Sequence, residues 1–289
     1  MKTTFAGWLD FVQQWAALAG AEPVSASASL TASPAPRTGP AVLMFSPHPD
    51  DECLVGALPL RLQQECGAHV INVAVTLGHA HQQERRRREV EAACALLGFD
   101  LLIPQQGHAF LNVFPEVRHT DPAQWETWCA EFAAILQQHR PVAVFAPHGD
   151  DFHPAHIGVH LLAREALRRY LDQSGGAVGF FATEYWHPQA APNLLVGVRP
   201  EAEALLLQAT ACHAGEVERN PYHLRHPARM IDNVRRGSEV VMGRGTAGRR
   251  FAFGELYRAQ WLFADGRTEA MPPTVLEPAE PIPPAWLQK

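Results

Sequence analysis

The sequence predicts an α/β protein built as three layers, αβα, with a mostly parallel sheet covered by helices on both faces. Three observations carry that expectation. Short apolar runs alternate with longer stretches of helical periodicity along most of the chain, as when strands are joined by helical crossovers. Polar clusters follow two of the strand candidates directly, and right-handed crossovers bring such turns to one edge of a sheet. The composition, 47% hydrophobic and 19% charged over 289 residues, supplies a core for one large domain or two small ones.

In chain order, residues 4–19 read as an amphipathic helix and 22–40, rich in Ala, Ser and Pro, as a linker. The main α/β domain is expected over 41–265. The apolar run 41–46 is a buried strand and 52–66 a helix. Strand 69–76 leads to helix 82–97, which stops at Gly98. A short strand at 101–104, a loop over 105–121 and a helix over 122–138 follow. Strand 141–146 leads to helix 156–172, then come strands near 178–186 and 193–198 and helices over 200–213 and 221–236. Residues 251–263 carry mixed strand and helix signals. The segment 266–289 reads as a Pro-rich tail lying on the surface or moving freely.

The net charge of −6 and the lack of a basic stripe argue against a nucleic-acid partner. The run Arg85–Arg88, flanked by Glu84 and Glu89, fits a solvated helix face with one arginine turned into a site. Five scattered cysteines without a C-x-x-C favour a reducing compartment. No stretch has the 18 consecutive apolar residues of a membrane span. Ser25–Ala28 imitates a signal cleavage site, but Asp10, Gln13 and Gln14 interrupt the apolar run before it, so a cytoplasmic protein is expected over an exported one. Self-association is left open. The glycine cluster 243–248 lacks a preceding strand, which disfavours a dinucleotide site.

The chemistry concentrates at two turns. The first is Ser46-Pro47-His48-Pro49-Asp50-Asp51-Glu52, between strand 41–46 and the next helix. The second runs from His148 to His160 and holds four histidines, at 148, 153, 156 and 160. Open α/β sheets place their sites at the carboxyl ends of strands. An imidazole, a carboxylate and a later histidine with a water make a three-ligand catalytic metal site. These ligand types suit Zn2+ best, with Fe2+ as the alternative. Against this stands the plainer reading of Asp50 or Asp51 as a helix cap, which the second cluster makes the weaker one.

The two turns together, Pro-His-Pro-Asp-Asp-Glu and then Pro-His-Gly…His-Pro-x-His, resemble the PIG-L/LmbE family of zinc-dependent de-N-acetylases over about residues 41–200. The resemblance implies a Rossmann-like version of the expected sheet and hydrolysis of an N-acyl group, N-acetyl first, on an amino sugar or glycoconjugate. It implies His48, Asp51 and His156 as metal ligands, Asp50 as general base and His153 as the imidazole facing the oxyanion. Glu52 is left to supporting a ligand or capping a helix. An amidase acting on a thiol-sugar conjugate or another acyl amine, or a non-catalytic metal- or glycan-binding protein, are the other readings.

The sequence departs from the family pattern at Ala155, where an Asp normally orients the oxyanion imidazole. Asp150 or Asp151 is the expected substitute, within about 3.2 Å of the His153 ring. The loop Thr76-Leu77-Gly78-His79-Ala80-His81 lacks the family's acid, and 105–121 lacks its sugar-binding Asp. Arg86, in an Arg-x-x-Glu with Glu89, either positions substrate or pins a loop. Tyr185 and Trp186, beside Glu184, either line a pocket or fill the core. Residues 220–226 read as surface or pocket, and Glu255 and Tyr257 as buried supports.

Overall fold

The computed structural model describes residues 39–243 and 251–287. The expected helix 4–19, all but the end of the linker and most of the glycine cluster lie outside the described residues. The strands are β1 (Ala41–Ser46), β2 (His69–Ala74), β3 (Asp100–Leu102), β4 (Ala143–Pro147), β5 (Ala177–Thr183), β6 (Leu194–Val198), β7 (Phe253–Phe263), β8 (Thr268–Ala270) and β9 (Thr274–Leu276). The main helices are α1 (Asp51–Leu54), α2 (Ala57–Cys66), α3 (Gln83–Leu97), α4 (Pro122–His139), α5 (Pro154–Ser174), α6 (Pro200–Ala211), α7 (Ala214–Arg219) and α8 (Tyr222–Val240).

The strands form one sheet in the order β3-β2-β1-β4-β5-β7-β6-β9, with β8 beside β7. From β3 to β5 every pairing is parallel. β1 therefore sends its crossover outward to β2, whereas its neighbour β4 sends its own the other way, to β5. The crevice at such a reversal is where open α/β sheets bind ligands, and both polar turns open into it.

Alternation along the buried strands divides the core. Val42 and Met44 of β1 pack with residues of α2, α3, α6 and α8, whereas Leu43 and Phe45 pack with α4 and α5. Phe45 stacks on Phe132 at 4.3 Å between ring centroids. These two faces are the outer layers the apolar runs require.

The region of mixed signals, 251–263, is the long strand β7. It runs antiparallel to β5, β6 and β8, so the sheet is mixed rather than uniformly parallel. The expected helix 52–66 is two helices, broken at Val55 and Gly56. β7 accounts for the break. Glu255 accepts the Ala57 N–H at 2.9 Å and the Tyr257 hydroxyl lies 3.0 Å from the Leu58 N–H, which satisfies backbone donors at the start of α2. The expected helix 200–213 stops at Ala211, and α7 follows. Loop 105–121 contains the helical turn Val117–Thr120.

The Pro-rich tail is tied down. β9 pairs in parallel with β6, and Ile282 and Trp286 are buried. Arg61 donates to the carbonyl oxygens of Gly197, Glu277 and Glu280 at 3.0, 3.2 and 2.6 Å, fastening the tail to α2.

A close approach beside the crevice gives a first prediction. A Cβ on Gly158 of α5 would stand 2.1 Å from the backbone oxygen of Val113. Alanine normally stabilises a helix relative to glycine by about 1 kcal/mol. Here Gly158→Ala is expected to destabilise by about 1–3 kcal/mol through overpacking, read as a lower urea midpoint.

Candidate metal centre and active site

His48 lies just beyond β1, and the turn brings Asp51 back to it. The Asp51 Oδ2 accepts the His48 backbone N–H at 2.8 Å and stands 3.4 Å from His48 Nδ1. His156, in the first turn of α5, reaches in from the neighbouring strand. Its Nε2 is 3.2 Å from His48 Nδ1 and 3.5 Å from Asp51 Oδ2. Two imidazole nitrogens and one carboxylate oxygen thus form a nearly equilateral triangle. Tetrahedral zinc with bonds of about 2.0–2.1 Å separates its ligand atoms by about 3.3 Å. The residues present fit such an ion.

Asp151 stands behind His156, its Oδ2 3.7 Å from the His156 Nδ1, which has no hydrogen-bond partner among the described residues. A carboxylate on the far side of a ligating imidazole is a common way of orienting it. The same carboxylate accepts the backbone N–H of His153 at 2.8 Å and of Trp186 at 3.2 Å. His148 and His160 are engaged elsewhere, with the backbone oxygens of His187 at 2.8 Å and Pro147 at 2.7 Å.

Asp50 has φ 114° and ψ −27°, a strained conformation for a residue with a side chain. Glu52 helps to hold it, because its Oε2 accepts the Asp50 N–H at 3.1 Å. The Glu52 Oε1 meets His213 Nε2 at 2.7 Å, and both side chains are fully buried. Glu52 is thus a support for the turn, and His213, which the sequence reading did not single out, is its partner. Burial, together with the charge of Asp51, pushes the Asp50 carboxyl well above its usual range, with Arg86 opposing. Burial also works against Asp51, but His156 and the bonds from His48 hold its carboxyl low.

His153 caps α5: its Nδ1 accepts the Ala155 N–H at 3.2 Å. The expected carboxylate partner of its ring is absent among the described residues, and Asp151 holds its backbone instead. With Nδ1 used as an acceptor, the neutral ring carries its proton on Nε2. Burial and the neighbouring His48 and His156 lower its pKa to about 4, so the ring is neutral near pH 7. A ring nitrogen of His153 lies within 4.8 Å of donor atoms of His48 and His156.

His48, Asp50, Asp51, His153 and His156 line a cavity of about 630 Å³. Arg86 is buried on its wall, donating to the Pro49 carbonyl at 3.2 Å and lying 3.4 Å from Glu216. It pins the motif turn, and Gly78, at φ +72°, passes so close that a Cβ there would meet its Nη1. Tyr185 packs edge-on against His156 at 4.6 Å, and Trp186 is 53% exposed at the rim. Tyr222, Arg225, His226 and Arg229 of α8 also line the cavity. The polar start of that helix therefore faces the site.

Glu255, which accepts the Ala57 N–H at the start of α2, gives a pH prediction. Burial raises its pKa from 4.5 to about 7. Between these values the folded chain holds a proton that the unfolded chain releases, so this group's contribution to stability falls as pH rises from 4.5 to 7. The span corresponds to about 3 kcal/mol. Glu255→Gln is expected to flatten that part of a stability–pH curve measured by chemical denaturation.

A strand reversal with a triangle of two imidazoles and a carboxylate in its crevice, a buried Asp beside it and a neutral imidazole across from it defines an α/β protein with a candidate mononuclear catalytic metal centre. Residues 43–167 match the model of the PIG-L family, described as GlcNAc-PI de-N-acetylase. The chain is 26% identical over 162 residues to the 1D-myo-inositol 2-acetamido-2-deoxy-alpha-D-glucopyranoside deacetylase of Corynebacterium urealyticum. That match covers 45% of this chain and 48% of the relative, so the chain spans about half the length of the curated relative it matches. Two solved structures share the fold. N,N'-diacetylchitobiose deacetylase from Pyrococcus horikoshii has a TM-score of 0.53 and 18% identity over 90% of this chain and 93% of its own. GalB, the 4-carboxy-2-hydroxymuconate hydratase of Pseudomonas putida KT2440, has a TM-score of 0.59 and 18% identity over 76% and 95%.

Proposed function

We propose that this chain hydrolyses the N-acyl group, most simply N-acetyl, of an amino sugar or related glycoconjugate at a zinc centre held by His48, Asp51 and His156. The observation that carries the reading is the triangle of donor atoms 3.2–3.5 Å apart with Asp50 beside it, in a domain matched as a de-N-acetylase. A divalent ion bound there supplies Lewis acidity and lowers the pKa of water towards about 7. Zn2+ suits two imidazoles and a carboxylate, and Fe2+ is the alternative.

The chain's own groups do the rest. Asp50 takes the proton of the attacking water and delivers it to the departing amine. Its raised proton affinity matches that double duty, with the charge of a bound cation opposing the rise. His153 presents Nε2–H to the oxygen that becomes negative, acting as a neutral donor. Asp151 keeps His156 aligned, and Trp186 offers an aromatic face for a sugar ring.

Among the described residues no helix is long and apolar enough to cross a membrane, and all five cysteines are free. A cytoplasmic enzyme acting on a small molecule fits both. The test is amine release from a panel of N-acetylated amino sugars by the zinc-loaded protein. Release by the wild type, lost on chelation and restored by zinc, is the expected result. Because the fold also carries a hydratase, the products decide: no amine from any member of the panel contradicts the reading.

A further inference from the structure

The wall of the cavity formed by α7 and the start of α8 carries more positive charge than its acids balance. Glu216 is shared by three arginines: Arg85 at 3.5 Å, Arg86 at 3.4 Å, and Arg219, which donates to its other oxygen. Two further arginines of that wall, Arg225 and Arg229, meet no carboxylate within ion-pair distance among the described residues. Arg229 donates to the Glu184 carbonyl oxygen, while the Glu184 carboxylate is taken by Arg236. Glu255 acts on Arg229 only at longer range. Arg225 is exposed.

The placement of these two residues is costly to the helix. They stand four apart, so like charges are neighbours on one face. Arg225 is also the fourth residue of a 19-residue helix whose first turn has no acid, close to the end where the macrodipole disfavours cations. In a chain of net charge −6, an unbalanced basic wall inside a cavity is suited to an anion.

Aromatic side chains join that wall to the metal centre. The Trp186 ring lies 6.3 Å from His153 on one side and 6.3 Å from Tyr222 on the other. A sugar ring on Trp186 would lie between His153, beside the metal centre, and Tyr222 at the start of α8. We propose that Arg225 and Arg229 form an anion subsite, and that the substrate is an N-acylated amino sugar bearing a phosphate or carboxylate group. The subsite deepens the deacetylase reading and rests on it for the identity of the reacting amide.

The experiment compares kcat and KM for N-acetylglucosamine, its 6-phosphate and its 3-O-carboxyethyl ether with the zinc-loaded wild type, Arg225→Gln, and Arg225→Gln with Arg229→Gln. The wild type should prefer one charged member in KM by at least about tenfold, and that preference should weaken as salt rises. Whether phosphate or carboxylate is preferred identifies the anion. Arg225→Gln should reduce the charged-to-neutral preference about tenfold, the worth of one charge-assisted contact, and the double variant should reduce it further. Because Arg225 is exposed and makes no ion pair among the described residues, Arg225→Gln should keep the metal content and melting temperature of the wild type.

A second measurement separates this subsite from the chemistry. Calorimetric titration of the zinc-loaded protein with glycerol 3-phosphate and with succinate reads binding without turnover. Anion binding weakened by Arg225→Gln, in a protein that releases no amine, supports the subsite while telling against the deacetylase reading. Anion binding equal in the wild type and Arg225→Gln, or equal KM for neutral and charged members, overturns the subsite.

Discussion

Asp50→Asn should retain the wild-type complement of zinc and release amine about 10³-fold more slowly. Loss of a general base costs about 10²–10⁴-fold, and Asp50 carries both proton transfers in the proposed reaction. Its carboxylate is not one of the three converging donor atoms, so metal content is expected to be unaffected. The amide is nearly the size of the acid, and the strained backbone at φ 114° is held by Glu52 and by the N–H groups of Cys53 and Leu54, at 3.0 and 3.2 Å from the Asp50 oxygen. Those bonds do not involve the Asp50 side chain. Single-turnover assays with metal analysis on the same sample check the prediction. Loss of zinc together with activity would instead make Asp50 a ligand.

His156→Ala should lose the metal. Removing a partner behind a ligand typically costs about 10–100-fold in metal affinity, and removing the ligand itself is expected to exceed that. The variant also strips the edge-on partner from Tyr185 and leaves Asp151 facing an empty space. A modest fall in stability should accompany the loss, so zinc affinity is to be measured by competition with a chelator on folded protein. Unchanged affinity would move the site to His153, the other imidazole near His48.

The parts of this site that were legible in the sequence are those fixed by local chain geometry. A strand ending at Ser46 and a helix beginning at Asp51 leave His48 and both aspartates on one turn. The second turn follows β4 in the same way, and the parallel pairing of β1 with β4 makes the two turns neighbours. The sequence did not reveal what depends on distant pairing. β7 carries Tyr257, Leu256 and Ala259 among polar residues, and its place between β5 and β6 is set by contacts with strands some sixty to eighty residues earlier. That pairing also breaks the helix expected over 52–66, because Glu255 and Tyr257 reach its backbone.

The support for His153 was expected from a carboxylate, since the family pattern supplies one at the position of Ala155. In the structure the ring is oriented by the Ala155 backbone N–H, a donor that every residue other than proline offers and no side-chain pattern marks. His213 could have been suspected only from its chemistry, since 161 residues separate it from Glu52. The cavity face of α8 follows likewise from tertiary packing, although its run of Tyr222, His223, Arg225 and His226 signalled an unusual helix start.

A second group of metal-ligand types lies close to the first. Glu52, Cys53 and His213 also cluster, but the Glu52–His213 separation of 2.7 Å is a hydrogen-bond length and all three are fully buried. Anomalous diffraction at the zinc edge from crystals of the zinc-loaded protein locates the ion directly. The expected result is one ion per chain, about 2.0–2.2 Å from His48 Nδ1, Asp51 Oδ2 and His156 Nε2. An ion held by Glu52, Cys53 and His213, or by His153 in place of Asp51, would contradict it.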